Sequence, residues 1–137
     1  MAIFAHTDCF VSIAGVDLSD HVISAEWNET VQTVETVAMG GTDIVRKPTF
    51  ADGSFSCELQ LDYAAADVYA TISAALDANV AIAIIYRADS AVVGATNPEM
   101  QTNCLVTEFN QGGGIGEIAT TSFTWPFDGT GVTRAVA

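Results

Sequence analysis

Charge is scarce in this sequence, and positive charge scarcer still. Only 15% of the 137 residues are charged, against about a quarter in an ordinary soluble domain. Four are basic and 17 acidic, a formal net charge of -13. Affinity for a phosphate backbone comes mainly from Lys and Arg displacing counterions, so this balance excludes a sequence-reading nucleic-acid binder. The acidic residues are spread along the whole chain, which excludes a disordered acidic tail as their source. Cys9, Cys57 and Cys104 are odd in number and form no Cys-x-x-Cys pair. They read as buried free thiols suited to a reducing cytoplasm. The first eight residues lack the basic start of a signal peptide, and no apolar run approaches the length of a membrane span.

Motifs for chemistry are equally sparse. His6 and His21 are the only histidines, and both stand outside any metal-ligand spacing. Residues 111–116 are glycine-rich but lack the Gly-Lys-Ser/Thr ending of a phosphate loop, so they read as a hairpin turn. No Gly-x-Ser-x-Gly elbow occurs, and no calcium-loop spacing either. Glu26, Glu58, Asp62, Glu108 and Glu117 lie on or beside expected strands. A glycosidase pair drawn from them would need a deep cleft that so small a chain has little room for. The sequence therefore points to no catalytic residue, no metal and no cofactor.

What is present is alternation. In residues 52–63, Phe55, Cys57, Leu59, Leu61 and Tyr63 fall on one face of an extended chain and Ser54, Ser56, Glu58, Gln60 and Asp62 on the other. That is the signature of a half-buried strand. Asp52-Gly53 ahead of it reads as the turn that starts it. Residues 10–16 read as a short strand bent at Gly15, residues 21–28 as a second strand, and the β-branched run 31–37 as its possible extension. Residues 37–51 have no sustained period, and Pro48 argues against a central strand. A loop of that length is usually functional or ordered by a partner. It carries Arg46 and Lys47, half of the basic residues.

One helix is expected over residues 64–78, with Val68, Ile72, Ala75 and Leu76 at helical spacing. Asp62 or Asp67 suits its start, and Asn79 suits a left-handed cap at its end. Residues 80–86 read as a strand buried on both faces, 87–101 as a loop, and 104–109 and 117–125 as further strands, with a short one in the tail. The sum is a single mainly β domain over residues 1–137, two packed antiparallel sheets in a sandwich or open barrel flanked by one α-helix.

The order of these pieces resembles the major tail tube protein of long-tailed bacteriophages. The segments that carry the likeness are SIAGVDLSDHVISAEW, then an irregular loop, DGSFSCELQLDY, a helix, a buried strand, NPEM and GEIATTSFTW. The resemblance implies a structural protein with the phage tail tube fold, not an enzyme. Six copies would close a ring, and rings would stack into a tube that guides the genome from the capsid. It implies as partners the chain itself, the tape measure protein and passing DNA in the lumen without specific binding, and tail terminator and distal tail proteins at the ends, without a membrane. It implies a virion-tail location after assembly in the host cytoplasm. Glu26, Glu58, Asp62, Glu108 and Glu117 become candidates for the lumen wall. Residues 37–51 match the family's stacking loop, with Asp43, Ile44, Arg46 and Lys47 as candidate ring-to-ring contacts. Contractile-tail tubes, type VI secretion tubes and gene transfer agents share the implied architecture. The competing reading is a monomeric immunoglobulin-like or lectin-like binding domain of a virion or cell surface, against which the helix argues. A small acidic hydrolase has no supporting motif.

Overall fold

A computed structural model describes residues 8–64 and 67–136; His6 lies outside them. The elements run β1 (Phe10–Ile13), β2 (Val16–Asp17), a 3-10 turn (Ser19–His21), β3 (Val22–Thr36), β4 (Val45–Gln60), α1 (Val68–Ala78), β5 (Ile82–Arg87), β6 (Glu99–Cys104), β7 (Asn110–Gly112), β8 (Thr120–Pro126) and β9 (Thr133–Ala135). They form two antiparallel sheets, β2-β1-β5-β6-β9 and β3-β4-β8-β7.

The core lies between the sheets and follows strand alternation. Phe55, Cys57 and Leu59 of β4 and Phe123 and Trp125 of β8 face Val11, Ile13, Ile84 and Tyr86 of the other sheet, and Val68, Ile72 and Ala75 of α1 join the same cluster. Trp27 joins the layers, edge-on to Phe55 at 6.0 Å and stacked with Tyr86 at 6.3 Å. All three cysteines are free and buried. Burial pushes the Cys57 thiol far up, with the neighbouring Cys9 adding to it. The same effect, reinforced by the Asp128 charge, lifts Cys104 to about 12. All are inert packing groups at neutral pH.

Local chemistry explains the turns. Ala14 and Gly15 both have positive φ, 52° and 83°, the pairing a tight hairpin needs. The Ser19 hydroxyl accepts the Val11 N–H at 3.0 Å, tying the next turn to β1. Asn79 ends α1 in the left-handed conformation, φ 53° and ψ 43°.

Several sequence expectations are corrected. The segment 37–51 is not one loop. Residues 45–51 belong to β4, which pairs with β3 from Val45 opposite Thr36, so only residues 37–44 connect the two. Pro48 sits in this strand opposite Thr33, where β4 has no second neighbour among the described residues because β8 begins pairing at Ser54. Proline is confined to such edge positions and to irregularities in the ladder, and the pairing shifts register between Val31 and Thr33 beside it. Asp52-Gly53 is likewise no turn but part of β4. A Cβ on Gly53 would stand 2.4 Å from the Asn28 carbonyl and 2.5 Å from the Phe127 ring, so glycine is there for close approach. Tyr63 leaves the core face: its ring packs on Tyr69 at 5.0 Å and its hydroxyl donates to Gln111 Oε1. The helix begins at Val68, not at residue 64, and β6 begins at Glu99 inside the expected loop. Strand β5 alternates between buried and half-buried positions instead of being buried on both faces.

Candidate functional site

The outer face of the β3-β4-β8-β7 sheet is built by register. Ser24, Glu58, Ser122 and Asn110 stand in one row across four strands, and Glu26, Ser56 and Thr124 in the next. Because the odd positions of β4 must face the core, its even positions are forced outward together. Ser56 and Thr124 hydroxyls are 3.0 Å apart. Glu108 extends the face past the end of β7, its Oε1 accepting the Thr124 N–H at 2.8 Å, while its backbone carbonyl accepts the Trp125 indole N–H at 2.9 Å. These groups line a shallow depression of about 350 Å³. Carboxylates, hydroxyls and amides compose it, and none of the four basic side chains stands among its lining residues.

Three of the five acidic candidates, Glu26, Glu58 and Glu108, meet on this face. The other two lie elsewhere. Glu117 Oε2 accepts the Gly114 N–H at 3.2 Å, bracing the β7–β8 turn. Asp62 staples the entry to α1: it accepts the Ala64 N–H at 2.9 Å and bonds His21 Nε2 at 3.1 Å. These bonds, the Ala64 N–H first, hold its carboxyl below the usual carboxylate range. Ligand atoms of His21, Asp62 and Asp67 lie within 4.8 Å of one another. Asp62 is committed on both oxygens to that staple, which accounts for the cluster without an ion.

The second surface is the far part of the β3–β4 hairpin. Residues 28–52 are exposed without interruption, among them Val31, Val34, Val37, Ile44, Val45 and Phe50, with Met39 wholly in solvent. Two long paired strands with no sheet beneath them cannot bury either face. Arg46 Nε pairs with Glu35 at 3.1 Å directly across the strands. Asp43 and Ile44 lie in the connection and are exposed. Lys47 has no carboxylate within 4.0 Å among the described residues.

Sequence reasoning missed a third feature, a groove of about 540 Å³ at the base of the hairpin. Val31, Ala51, Phe127 and Val132 line it together with the Arg134–Glu29 ion pair. Asp128 lies on its rim with its carboxyl lowered by the side chain and N–H of Thr130. The groove joins residues about a hundred positions apart; the only trace in sequence is Gly129-Thr130-Gly131, where both glycines take positive φ.

No protein-family model and no curated protein matches this sequence. The architecture is that of a mainly β, two-sheet domain with a flanking helix. In fold the chain is similar to the anti-feeding prophage cap, a tube-terminating cap whose structure was determined by cryo-EM. The TM-score is 0.69 over 95% of this chain and 89% of that one, at 14% sequence identity. Identity this low makes the likeness one of fold, and the neighbour is a cap of a tube, not the tube of a long-tailed phage.

Proposed function

We propose that the chain is a structural subunit of a phage-tail-type tube. Six copies close a ring, rings stack, and the outer face bearing Glu26, Glu58 and Glu108 lines a lumen that conducts DNA. The observation that carries this reading is the cation-free acidic sheet face. A conduit must not hold its cargo, and a protein making only about six to ten phosphate contacts already binds DNA tightly at low salt. A wall without Lys or Arg, repeated around a ring, repels the backbone and leaves DNA free to slide. The open edges of the same sheet, β3 and β7, fit edge-to-edge pairing between neighbours, which would satisfy backbone groups that invite aggregation in a monomer. The fold likeness to a tube cap supports a tail-type role.

On this reading the subunit works without catalysis or cofactor. Its partners are further copies of itself, a tape measure protein and DNA in the lumen, and terminator and distal proteins at the tube ends. It resides in the tail of the particle after assembly in the host cytoplasm. No helix among the described residues is long and apolar enough to cross a membrane. A second reading, a cap that closes a tube, is favoured by the identity of the structural neighbour. Negative-stain electron microscopy of the concentrated protein separates them. Hollow tubes are expected; closed rings that never elongate support the cap, and monodisperse monomers overturn both in favour of a binding domain.

A further inference from the structure

The charge of this molecule is unevenly distributed in a way that bears on how copies meet. Residues 31–51, the far part of the hairpin, hold two acidic groups, Glu35 and Asp43, and two basic ones, Arg46 and Lys47, so they are neutral. The remaining residues hold fifteen acidic and two basic groups and carry the whole net charge of -13. Copies with that charge repel one another over most approaches. The hairpin is the part that can touch another copy without a like-charge penalty, and it is also where Met39, Ile44 and Phe50 are exposed.

The groove at the hairpin base offers the complement. Its walls include Val31, Phe127 and Val132, and Asp52 and Asp128 lie on it with no cation within 4.0 Å among the described residues. Glu29, by contrast, is already neutralised by Arg134. Of the four basic side chains, Arg46, Arg87 and Arg134 are each paired with a glutamate, which leaves Lys47 with its charge uncommitted among the described residues. We infer that the far end of the hairpin of a second copy seats in this groove, with Ile44 and Met39 over its apolar floor and Lys47 against Asp128 and Asp52. This rests on the reading that the chain polymerises with itself. Knob and socket are different surfaces, so a contact made in one direction leaves a free knob and a free socket for further copies, whereas a reciprocal one would stop at a dimer.

The test measures the concentration at which polymer forms, by light scattering and sedimentation. Lys47→Asp and Asp128→Lys should each raise it by about tenfold or more, because each turns an attraction into a repulsion repeated at every contact. The double variant Lys47→Asp with Asp128→Lys should return it to near the wild-type value. Singles that polymerise like wild type, or a double that is not rescued, overturn the groove as the socket and leave the tail-subunit reading standing. A wild-type protein that never polymerises overturns both. If Asp128→Lys fails to fold, two variants serve instead, each adding one exposed cysteine to the three buried ones. Ile44→Cys mixed with Val132→Cys should give a disulfide-linked heterodimer on oxidation that neither gives alone, and its absence overturns the contact.

Discussion

Gly53 is where three segments converge, with the Asn28 carbonyl on the neighbouring strand and the Phe127 ring both inside van der Waals distance of any added Cβ. Its N–H is held by the Asp52 carboxylate at 2.8 Å, and its carbonyl accepts the Phe127 N–H at 3.0 Å. Gly53→Ala should therefore push Phe127 off the Trp27 ring, 5.1 Å away, at a cost of about 1–3 kcal/mol, read as a lowered midpoint in denaturant melts. Asp62 is a residue whose charge state acts on the entry to α1. Its carboxyl is held below the ordinary value by the Ala64 N–H and by His21. A depressed carboxyl contributes stability that is present above the unfolded-state value, about pH 3.9, and is lost as pH falls through the lower folded-state value. Asp62→Asn should thus flatten the acid-side fall of the thermal midpoint, and should lower that midpoint at neutral pH. An unchanged acid slope in the variant would count against the staple.

At the scale of elements, the β3–β4 hairpin has two halves with different work. Residues 22–30 and 52–60 supply one wall of the core, whereas residues 31–51 bury nothing of their own. Replacing 31–51 by an Asn-Gly turn should leave a folded domain whose thermal midpoint shifts by no more than about 4–8 °C, the shift expected for a change near 1 kcal/mol in a small domain, yet one that forms no polymer at concentrations where the wild type does. Circular dichroism and microscopy check the two halves of that statement. The sequence showed why the inner half is a strand, since Phe55, Cys57 and Leu59 alternate with Ser54, Ser56 and Glu58. It showed the β3 side of the outer half through the β-branched run 31–37 but not the β4 side, because Val45-Arg46-Lys47-Pro48 has no alternation. Those residues are extended only because Val34, Glu35 and Thr36 lie opposite and supply the ladder bonds. The same holds for Glu99-Met100, which read as a loop from its Asn97-Pro98 neighbour and becomes strand through pairing with Arg87 and Tyr86.

For the whole molecule, the fold class and much of the element order follow from the chain alone. Alternation needs one buried face per strand, one amphipathic segment gives one helix, and 17 acids against 4 bases argue against a sequence-reading DNA binder. That Glu26 and Glu58 point outward was also legible, being set by strand parity. Parity cannot say which strands are neighbours. Only the tertiary structure brought Glu108 beside Glu26 and Glu58 by pairing β8 between β4 and β7, and sent Asp62 and Glu117 to brace turns instead. Only the tertiary structure made a groove from Val31 and Val132. Local sequence fixes periodicity and backbone preference over a few residues, while the meeting of distant segments is decided by which apolar faces can be buried together. The charge of this protein was therefore written in its composition, and the surfaces on which that charge acts were decided by packing.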